Sequence, residues 1–253
     1  MATYGPGGRF TMTDRGRGAL RQTADALTVG PSQMRWENGA LVIEIDEISS
    51  PPLISRVRGQ IRLIPEAITG VEAMLTPDGA HIWRPFAPSA RIEVDLTQGH
   101  SWQGHGYFDA NFGTAALEDD FNYWTWGRFP QAGGGATCFY DGVRRDGSTL
   151  ALGLAFDKDG AAREITPPPV ARLPRTAWAL RRETRADAGF VPRQVMPMLD
   201  APFYSRSQVR TRINGEVTTG VHEALDLRRF AQPLLKPMLA VRVPRRPGWT
   251  FPD

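Results

Sequence analysis

The sequence predicts an all-β protein built from antiparallel sheets of sandwich or barrel type, and three observations support this fold class. Polar and apolar residues alternate in several short runs, and dipeptides that favour tight turns separate these runs. The chain of 253 residues also contains 26 Gly and 21 Pro, which argues against long helices. No amphipathic helix stands out, so we expect at most a short helical turn near residues 226–232.

Alternation with a period of two residues is clearest in two segments. Residues 57–63 place apolar or small side chains at odd positions, and residues 91–96 place Ile92, Val94 and Leu96 on one face. Because successive side chains of a strand point to opposite faces, each run predicts a strand that turns one face towards a core or cavity. The same interpretation applies to three further runs, at residues 40–45, 149–156 and 216–221.

Turn signals separate these runs. Dipeptides of the kind favoured in β-hairpins occur at Asn38-Gly39, Asp78-Gly79, Asp146-Gly147, Asp159-Gly160 and Asn214-Gly215. The Pro run at residues 167–169 predicts a stiff connecting loop. Hydrophobic residues form 41% of the chain, which suits a globular core, and β-barrels of modest size can hold one small ligand.

Charge and cysteine content narrow the possible partners and the compartment. The formal net charge of +3 is dispersed and comes without a nucleic-acid-binding motif, so we expect no nucleic acid partner. Cys138 is the single cysteine and lies in an apolar run, which predicts a buried structural thiol in a reducing cytoplasm. No apolar stretch approaches the roughly 18 residues that span a bilayer, and the N-terminus lacks signal-peptide features. The basic cluster at residues 242–247 favours a solvated tail over contact with an anionic membrane.

Residues suited to catalysis concentrate in two segments. If residues 101–113 form a strand, His105, Tyr107 and Asp109 share one face, and the spacing of His81 and Trp83 places these two on one face as well. Two neighbouring strands of this kind would present acid, imidazole, phenol and indole groups to one cavity. The acidic residues 118–120 favour a solvated loop.

These residue types fit acid-catalysed chemistry on an alkene. A carboxyl group surrounded by apolar and aromatic walls stays protonated more readily, because burial penalises its charged form. Aromatic faces stabilise a carbocation, and a His or Tyr can hold the attacking water. Such a reaction requires neither a metal nor an organic cofactor. The alternative for Asp109 is an ordinary strand-end carboxylate, and for Trp83 it is core packing.

Several segments carry a family resemblance in order along nearly the whole chain. They are residues 4–8 (Tyr-Gly-Pro-Gly-Gly), 12–16 (Met-Thr-Asp-Arg-Gly), 29–32, 41–47, 106–113 (Gly-Tyr-Phe-Asp-Ala-Asn-Phe-Gly), 117–119, 124–126 (Trp-Thr-Trp), 202–207 (Pro-Phe-Tyr-Ser-Arg-Ser) and 221–223 (Val-His-Glu). With these segments the sequence resembles the carotenoid 1,2-hydratases, also called hydroxyneurosporene synthases, of phototrophic bacteria.

The resemblance implies two lipocalin-like β-barrel or sandwich domains in tandem, at residues 1–118 with the active site and at 119–253. It implies cofactor-free, acid-catalysed addition of water to the terminal C1–C2 double bond of acyclic carotenoids of the neurosporene and lycopene type. The products would be 1-hydroxy carotenoids. It also implies peripheral contact with the inner, photosynthetic membrane, from which an insoluble substrate must be collected. No metal or other cofactor is implied.

The same resemblance assigns site residues. Its His-x-Trp matches His81 and Trp83, and its Tyr-x-Asp matches Tyr107 and Asp109. Asp109 is then the proton donor and Trp83 lines the cation site, while His81 and Tyr107 orient Asp109 or the water. The residues placed along the substrate are His105, Trp124 and Trp126, with core packing as the alternative for the two tryptophans.

Two departures and two other functions accompany the resemblance. The chain reads as N-terminally shortened, since family members carry a segment before the Tyr4 motif, and Gly127 stands where a Ser is expected. A pericyclase on the same scaffold would not depend on a buried acid. A non-catalytic carotenoid or lipid carrier would bind the ligand without any turnover.

Overall fold

A computed structural model describes residues 1–5, 7–11, 13–50, 54–97, 99–238 and 241–242, and it confirms the all-β prediction. The helices in this part of the chain are short. They are the α-helices α1 (Leu117–Asp120) and α2 (Leu227–Phe230) and the 3-10 helices Arg17–Ala19 and Pro233–Met238. Asp226 caps α2 by accepting hydrogen bonds from the backbone N–H groups of Arg228 and Arg229, which confirms the helical turn predicted near residues 226–232.

The first sheet contains eight strands from the N-terminal half of the chain. Its strands are β2 (Leu20–Gln22), β3 (Ala26–Val29), β4 (Ser32–Glu37), β5 (Ala40–Ile48), β6 (Arg56–Pro65), β7 (Ala73–Met74), β8 (His81–Leu96) and β9 (His100–Gly113). Their order is β2-β3-β4-β5-β6-β8-β7, and β9 pairs with β8 as well. The long strands β8 and β9 carry the segments in which the sequence concentrates its catalytic residue types.

The second sheet contains seven strands in the order β13-β12-β11-β10-β18-β17-β16. These strands are β10 (Phe121–Pro130), β11 (Ala136–Arg144), β12 (Thr149–Phe156), β13 (Ala162–Glu164), β16 (Arg193–Asp200), β17 (Tyr204–Ile213) and β18 (Glu216–Asp226). Two small sheets complete the topology. They are the antiparallel pair β14 (Val170–Leu173) and β15 (Arg182–Arg185) and the parallel pair β1 (Thr13–Asp14) and β19 (Val241–Arg242).

The five segments with predicted alternation all fall within strands, namely β5, β6, β8, β12 and β18. The predicted hairpin turns are also confirmed. Asn38 and Gly39 connect β4 to β5 with φ angles of 51° and 73°. Positive φ at both central residues defines the tight turn that matches the twist of an antiparallel hairpin. Asn214 and Gly215 connect β17 to β18 in the same way.

The chain forms two compact units. Of the described residues, the first unit comprises those within 1–65, those within 90–107, and residues 236–238, 241 and 242, and the second comprises residues 66–89 and 108–235. The strands β8 and β9 each contribute residues to both compact units, and the division into domains at residue 118 that the resemblance implies stays a prediction. Turn signals in a sequence mark where strands end. They cannot reveal that one long strand contributes its first residues to one compact unit and its last residues to another.

A buried ion pair lies in the first unit. Arg15 Nη2 is 2.7 Å from Glu47 Oε2, and the two side chains are only 6% and 9% exposed. Ser32 Oγ donates a hydrogen bond to Glu47 at 2.8 Å. Two of the segments that carry the family resemblance, residues 12–16 and 41–47, therefore meet in a structural contact.

The seven-stranded sheet of the second unit has two different faces. The core face, defined as the face that carries Phe129, Phe139 and Val209, packs with Leu173 and Ile213 in one apolar cluster. The site face, defined as the face that carries Trp126, Tyr140 and Glu223, bears the aromatic and charged groups described below. In antiparallel pairing, residues directly opposite each other share a face, so the strand register determines both sets.

Gly127, which departs from the family pattern, belongs to the core face. It pairs with Phe139, and a Cβ at this position would lie 2.8 Å from Cε2 of Phe129. The Phe129 ring therefore occupies the space that a side chain at residue 127 would need. Because the strand alternates, the departure lies on the opposite face from Trp126.

Candidate active site

The spacing of His81 and Trp83 predicts one shared face, and β8 buries both side chains. Trp83 has no exposed surface and His81 is 4% exposed, whereas Ile82 between them is only half-buried. Burial of a whole indole removes a large apolar surface from water, and its N–H group must then find a partner.

That partner is Asp109 on β9. Trp83 Nε1 donates a hydrogen bond to Asp109 Oδ2 at 2.8 Å. The structure thus brings together the two residues to which the sequence assigns the proton donor and the cation site. A hydrogen bond from a fully buried indole holds the Asp109 carboxyl group in a defined orientation, with one oxygen engaged.

An aromatic wall stands beside this hydrogen bond. The ring centroid of Tyr140 lies 5.7 Å from that of Trp83 and 5.6 Å from that of Trp124. Burial raises the pKa of the Tyr140 phenol, and the negative charges of Asp109 and Glu223 raise this pKa further. Tyr140 is therefore a neutral aromatic group close enough to both carboxyl groups to sense their charge.

The strand register continues this wall along the site face. Tyr140 on β11 lies opposite Trp126 on β10, Trp126 lies opposite Glu223 on β18, and Glu223 lies opposite Arg206 on β17. The row runs from aromatic rings to a charged pair across four neighbouring strands. Trp124 and Trp126 are both buried on this face, and their role as substrate lining stays a prediction beside core packing.

Glu223 is a second carboxyl group of the site. Arg206 Nη1 lies 2.7 Å from Glu223 Oε1, and the Glu223 side chain is 16% exposed. Burial raises the pKa of Glu223, while the charge of Arg206 and a hydrogen bond from Tyr204 lower it, and the charge of Asp109 raises it. The two acids are thus coupled electrostatically.

His81 contacts a different carboxylate from the one expected. His81 Nε2 and Asp120 Oδ2 are 2.7 Å apart, and the imidazole meets the Phe121 ring edge-on at 5.4 Å. The interpretation of residues 118–120 as a solvated loop is therefore wrong for Asp120, because it lies in α1 and pairs with a buried imidazole. The expected role of His81 in orienting Asp109 or the water stays a prediction.

Tyr107 and His105 lie on β9 ahead of Asp109. Tyr107 is half-buried and His105 is exposed, and both belong to the first compact unit, whereas Asp109 belongs to the second. Their assigned roles, orientation of the acid or water by Tyr107 and substrate lining by His105, stay predictions.

Cys138 has the structural character that the sequence predicts. Its side chain is completely buried on the site face, and burial raises the pKa of its thiol to about 12. A thiol held neutral in this way is a poor nucleophile.

The sequence reasoning missed Tyr140, Tyr204, Arg206 and Glu223 as site residues. Three of them stand in segments that carry the resemblance, residues 202–207 and 221–223, but nothing there assigns them a role. Their proximity depends on which strands are neighbours in the sheet, and alternation within one strand carries no such information.

Two findings apply to the described residues alone. Among them, no three His, Cys, Asp or Glu side chains form a group suited to holding a metal ion. No helix in those segments combines the length and the apolar character needed to cross a membrane. Residues 243–247 of the basic cluster lie outside the described part of the chain, as does the side chain of Arg242.

A carboxyl group fixed by a buried indole, beside an aromatic wall and a second acid, defines an all-β protein equipped for acid–base chemistry in largely apolar surroundings. Comparison with known families agrees with this class. The family model described as carotenoid hydratase CrtC matches residues 1–252, so the chain belongs to the carotenoid hydratase family, whose members are hydro-lyases.

Several curated proteins are similar over nearly the whole chain. An acyclic carotenoid 1,2-hydratase of Cereibacter sphaeroides is 69% identical over 251 residues, which cover 99% of this chain and 90% of that protein. A protein of the same name from Rhodobacter capsulatus is 58% identical and covers 100% and 90%. One from Thiocapsa roseopersicina is 46% identical and covers 98% and 62%. No solved structure gave a significant match.

Proposed function

We propose that this chain catalyses the cofactor-free addition of water to the terminal C1–C2 double bond of acyclic carotenoids of the neurosporene and lycopene type. The product is a 1-hydroxy carotenoid. The observation that carries the proposal is the hydrogen bond from Trp83 to Asp109 beside the Tyr140 ring. Family membership and the names of the relatives supply the reaction class and the substrate class.

In the first step, Asp109 transfers its proton to C2 of the substrate. The π electrons of the double bond form the new C2–H bond, and a tertiary cation remains at C1. Asp109 leaves this step as a carboxylate. The faces of Trp83 and Tyr140, which pack against each other near the acid, offer the electron density that stabilises such a cation.

In the second step, a water molecule attacks C1. Its lone pair forms the C1–O bond, and the resulting oxonium ion loses one proton to a base. The overall reaction adds the elements of water and changes no oxidation state of the protein. We expect Tyr107 and His81 to take part in orienting the acid or the water, with His81 held in place by Asp120.

We also propose peripheral contact with the inner membrane on its cytoplasmic side. A long apolar polyene partitions into lipid, so the protein must reach a membrane surface to collect it. Strongly exposed apolar side chains such as Val191 (82%) and Leu234 (91%) support this proposal, since they are suited to shallow insertion. Flotation with liposomes that contain carotenoid tests it, and protein that stays in the dense fraction contradicts it.

The decisive experiment compares the wild type with Asp109→Asn on lycopene in liposomes, with products separated by chromatography. The amide keeps the shape of the side chain and removes the transferable proton. We expect at least a 100-fold loss of hydroxylated product, within the range of about 10²–10⁴ for general acid catalysis. Carotenoid binding, followed by the visible absorption of the polyene, should persist.

The matched control is Asp119→Asn, which makes the same change at an exposed position of α1 and should keep wild-type turnover. If Asp109→Asn forms product at the wild-type rate, Asp109 is not the acid. If the wild type binds carotenoid and forms no product, the chain acts as a carrier and the proposed function fails.

A further inference from the structure

A hydration reaction needs a base for the proton of the attacking water as well as an acid for the alkene. We propose that Glu223 is this base, so that Asp109 and Glu223 form an acid–base pair across the site face. The proposal rests on the proposed function and adds a catalytic residue to it.

The register of the seven-stranded sheet places Glu223 at the aromatic wall. Glu223 lies opposite Trp126, and Trp126 lies opposite Tyr140. The Tyr140 ring in turn packs against Trp83, whose indole holds Asp109. Both carboxyl groups therefore border the same group of aromatic rings, in which a cation formed beside Asp109 would be stabilised.

Burial raises the pKa of Glu223, which strengthens this group as a proton acceptor, and two neighbouring groups counteract that shift by favouring the carboxylate. Arg206 stands 2.7 Å away as a positive partner, and Tyr204 on the same strand donates a hydrogen bond to the carboxylate. Charge-assisted hydrogen bonds of this kind favour the ionised form. The side chain keeps 16% of its surface exposed, so water can reach it.

The Arg15–Glu47 pair shows what a purely structural ion pair looks like in this protein. Its side chains are 6% and 9% exposed, and a Ser hydroxyl group saturates the second carboxylate oxygen. The Arg206 and Glu223 side chains are 34% and 16% exposed and stand on the site face, in the row that continues to Trp126 and Tyr140. The Arg206–Glu223 pair is therefore accessible to water, unlike the Arg15–Glu47 pair, and it lies on the site face beside the aromatic rings.

The coupling of the two acids has the sign that the reaction needs. The proposed reaction starts from a protonated Asp109 and from a Glu223 that is paired with Arg206. Once Asp109 has given its proton to C2, its new negative charge raises the proton affinity of Glu223, the direction in which Asp109 shifts the pKa of Glu223. Glu223 then takes the proton from the oxonium ion, and transfer of that proton back to Asp109 through water restores both groups.

The test follows deuterium in recovered substrate as well as product. In D2O, reversible protonation by Asp109 delivers a deuteron to C2. When the cation returns to the alkene by losing the original hydrogen of C2 to the Asp109 carboxylate, the deuterium stays at C2. Glu223→Gln removes the base and keeps the acid. We expect this variant to form hydroxylated product at least 100-fold more slowly than the wild type, while unreacted lycopene still gains deuterium. Asp109→Asn should show neither product nor exchange.

The matched control is Glu216→Gln, which makes the same substitution on the same strand, on the core face. It should hydrate lycopene at the wild-type rate. Product within about 3-fold of the wild type from Glu223→Gln overturns the proposal. Loss of both product and exchange also overturns it, because Glu223 would then act on the acid step. A wild type that forms no product disproves the function itself, which is a separate outcome.

A second variant decides the matter even if Glu223→Gln does not fold. Tyr204→Phe keeps the carboxylate and removes a hydrogen bond that favours its ionised form. We expect the acid limb of the pH profile of kcat to move to higher pH, since the base is then protonated more easily. A merely structural role predicts a lower kcat with an unmoved limb, and that result overturns the proposal.

Discussion

His222 and Glu223 are neighbours on β18 and point to opposite faces of the same sheet, and their surroundings differ accordingly. On the core face, His222 is fully buried, its Nε2 contacts the backbone oxygen of Glu183 at 2.7 Å, and burial lowers its pKa to about 4. On the site face, Glu223 keeps some exposure and a charged partner, and burial raises its pKa. The core face stabilises the sheet, and the site face carries the groups to which we assign proton transfer.

The difference between the core face and the site face indicates that one sheet can assign stability to one face and catalysis to the other. Phe129, Phe139 and Val209 fill the core face with apolar contacts. The site face carries Trp126, Tyr140 and Glu223, which border the proposed reaction. Substitutions on the first face should therefore change stability and leave the reaction intact, and substitutions on the second should do the reverse.

The largest effect is expected on the core face. Phe139→Ala removes a ring that is 2% exposed and whose centroid lies 6.2 Å from that of Phe129. This substitution should lower the free energy of unfolding by about 3–5 kcal/mol. Denaturant unfolding measures this loss. Hydration per folded molecule should stay within about twofold of the wild type, and Leu234→Ala, at a 91% exposed position, should leave the free energy of unfolding unchanged. If Phe139→Ala on the core face lowered turnover per folded molecule as much as Glu223→Gln on the site face, the proposed difference between the two faces would be disproved.

The next effect concerns pH. The folded-state pKa of His222, about 4, lies below the ordinary histidine value of 6.5, so the unfolded chain takes up a proton first as the pH falls. This contribution to stability is present above pH 6.5 and is lost as the pH falls towards 4. At about 1.4 kcal/mol per pKa unit it amounts to about 3 kcal/mol.

His222→Gln should flatten the stability profile in that interval, whereas His100→Gln, at a half-buried position in the first unit, should not. Glu223 acts in the opposite sense, because its raised pKa gives stability that is present below pH 4.5 and lost as the pH rises. Unfolding curves measured across pH 4–8 separate the two contributions. If the free energy of unfolding of His222→Gln changed with pH as steeply as that of the wild type, His222 would not be the source of this pH dependence.

The smallest expected effect lies at the acid itself. Trp83→Phe keeps an aromatic ring and removes the N–H group that donates to Asp109 Oδ2. We expect kcat to fall by about 10- to 100-fold, equivalent to about 1.4–2.7 kcal/mol, because the carboxyl group loses its orientation. The same change at Trp36, which is 41% exposed, serves as the control and should leave kcat unaltered. A kcat unaffected by Trp83→Phe would assign the indole to packing alone.

Much of this architecture is encoded locally in the sequence. The alternating runs and the Asn-Gly turns predict strands and hairpins, because side-chain direction and positive φ depend on adjacent residues. The resemblance assigns Trp83 and Asp109 to one site, and the structure joins the two side chains by a hydrogen bond, while their roles stay predictions. The row from Tyr140 to Arg206 was not predictable, since it depends on which strands become neighbours. The contact between His81 and Asp120 was missed for a similar reason, as 39 residues separate them.

The hydrogen bond between Trp83 and Asp109 has a spectroscopic consequence. The ultraviolet absorption and the fluorescence of an indole respond to the charge of the group that accepts its N–H hydrogen bond. A change in the ionisation of Asp109 should therefore change the absorption and fluorescence of Trp83. The chain has seven tryptophans, and the difference between the wild type and Trp83→Phe isolates this one. Trp83 therefore serves as an optical indicator of the protonation state of Asp109, the proposed acid.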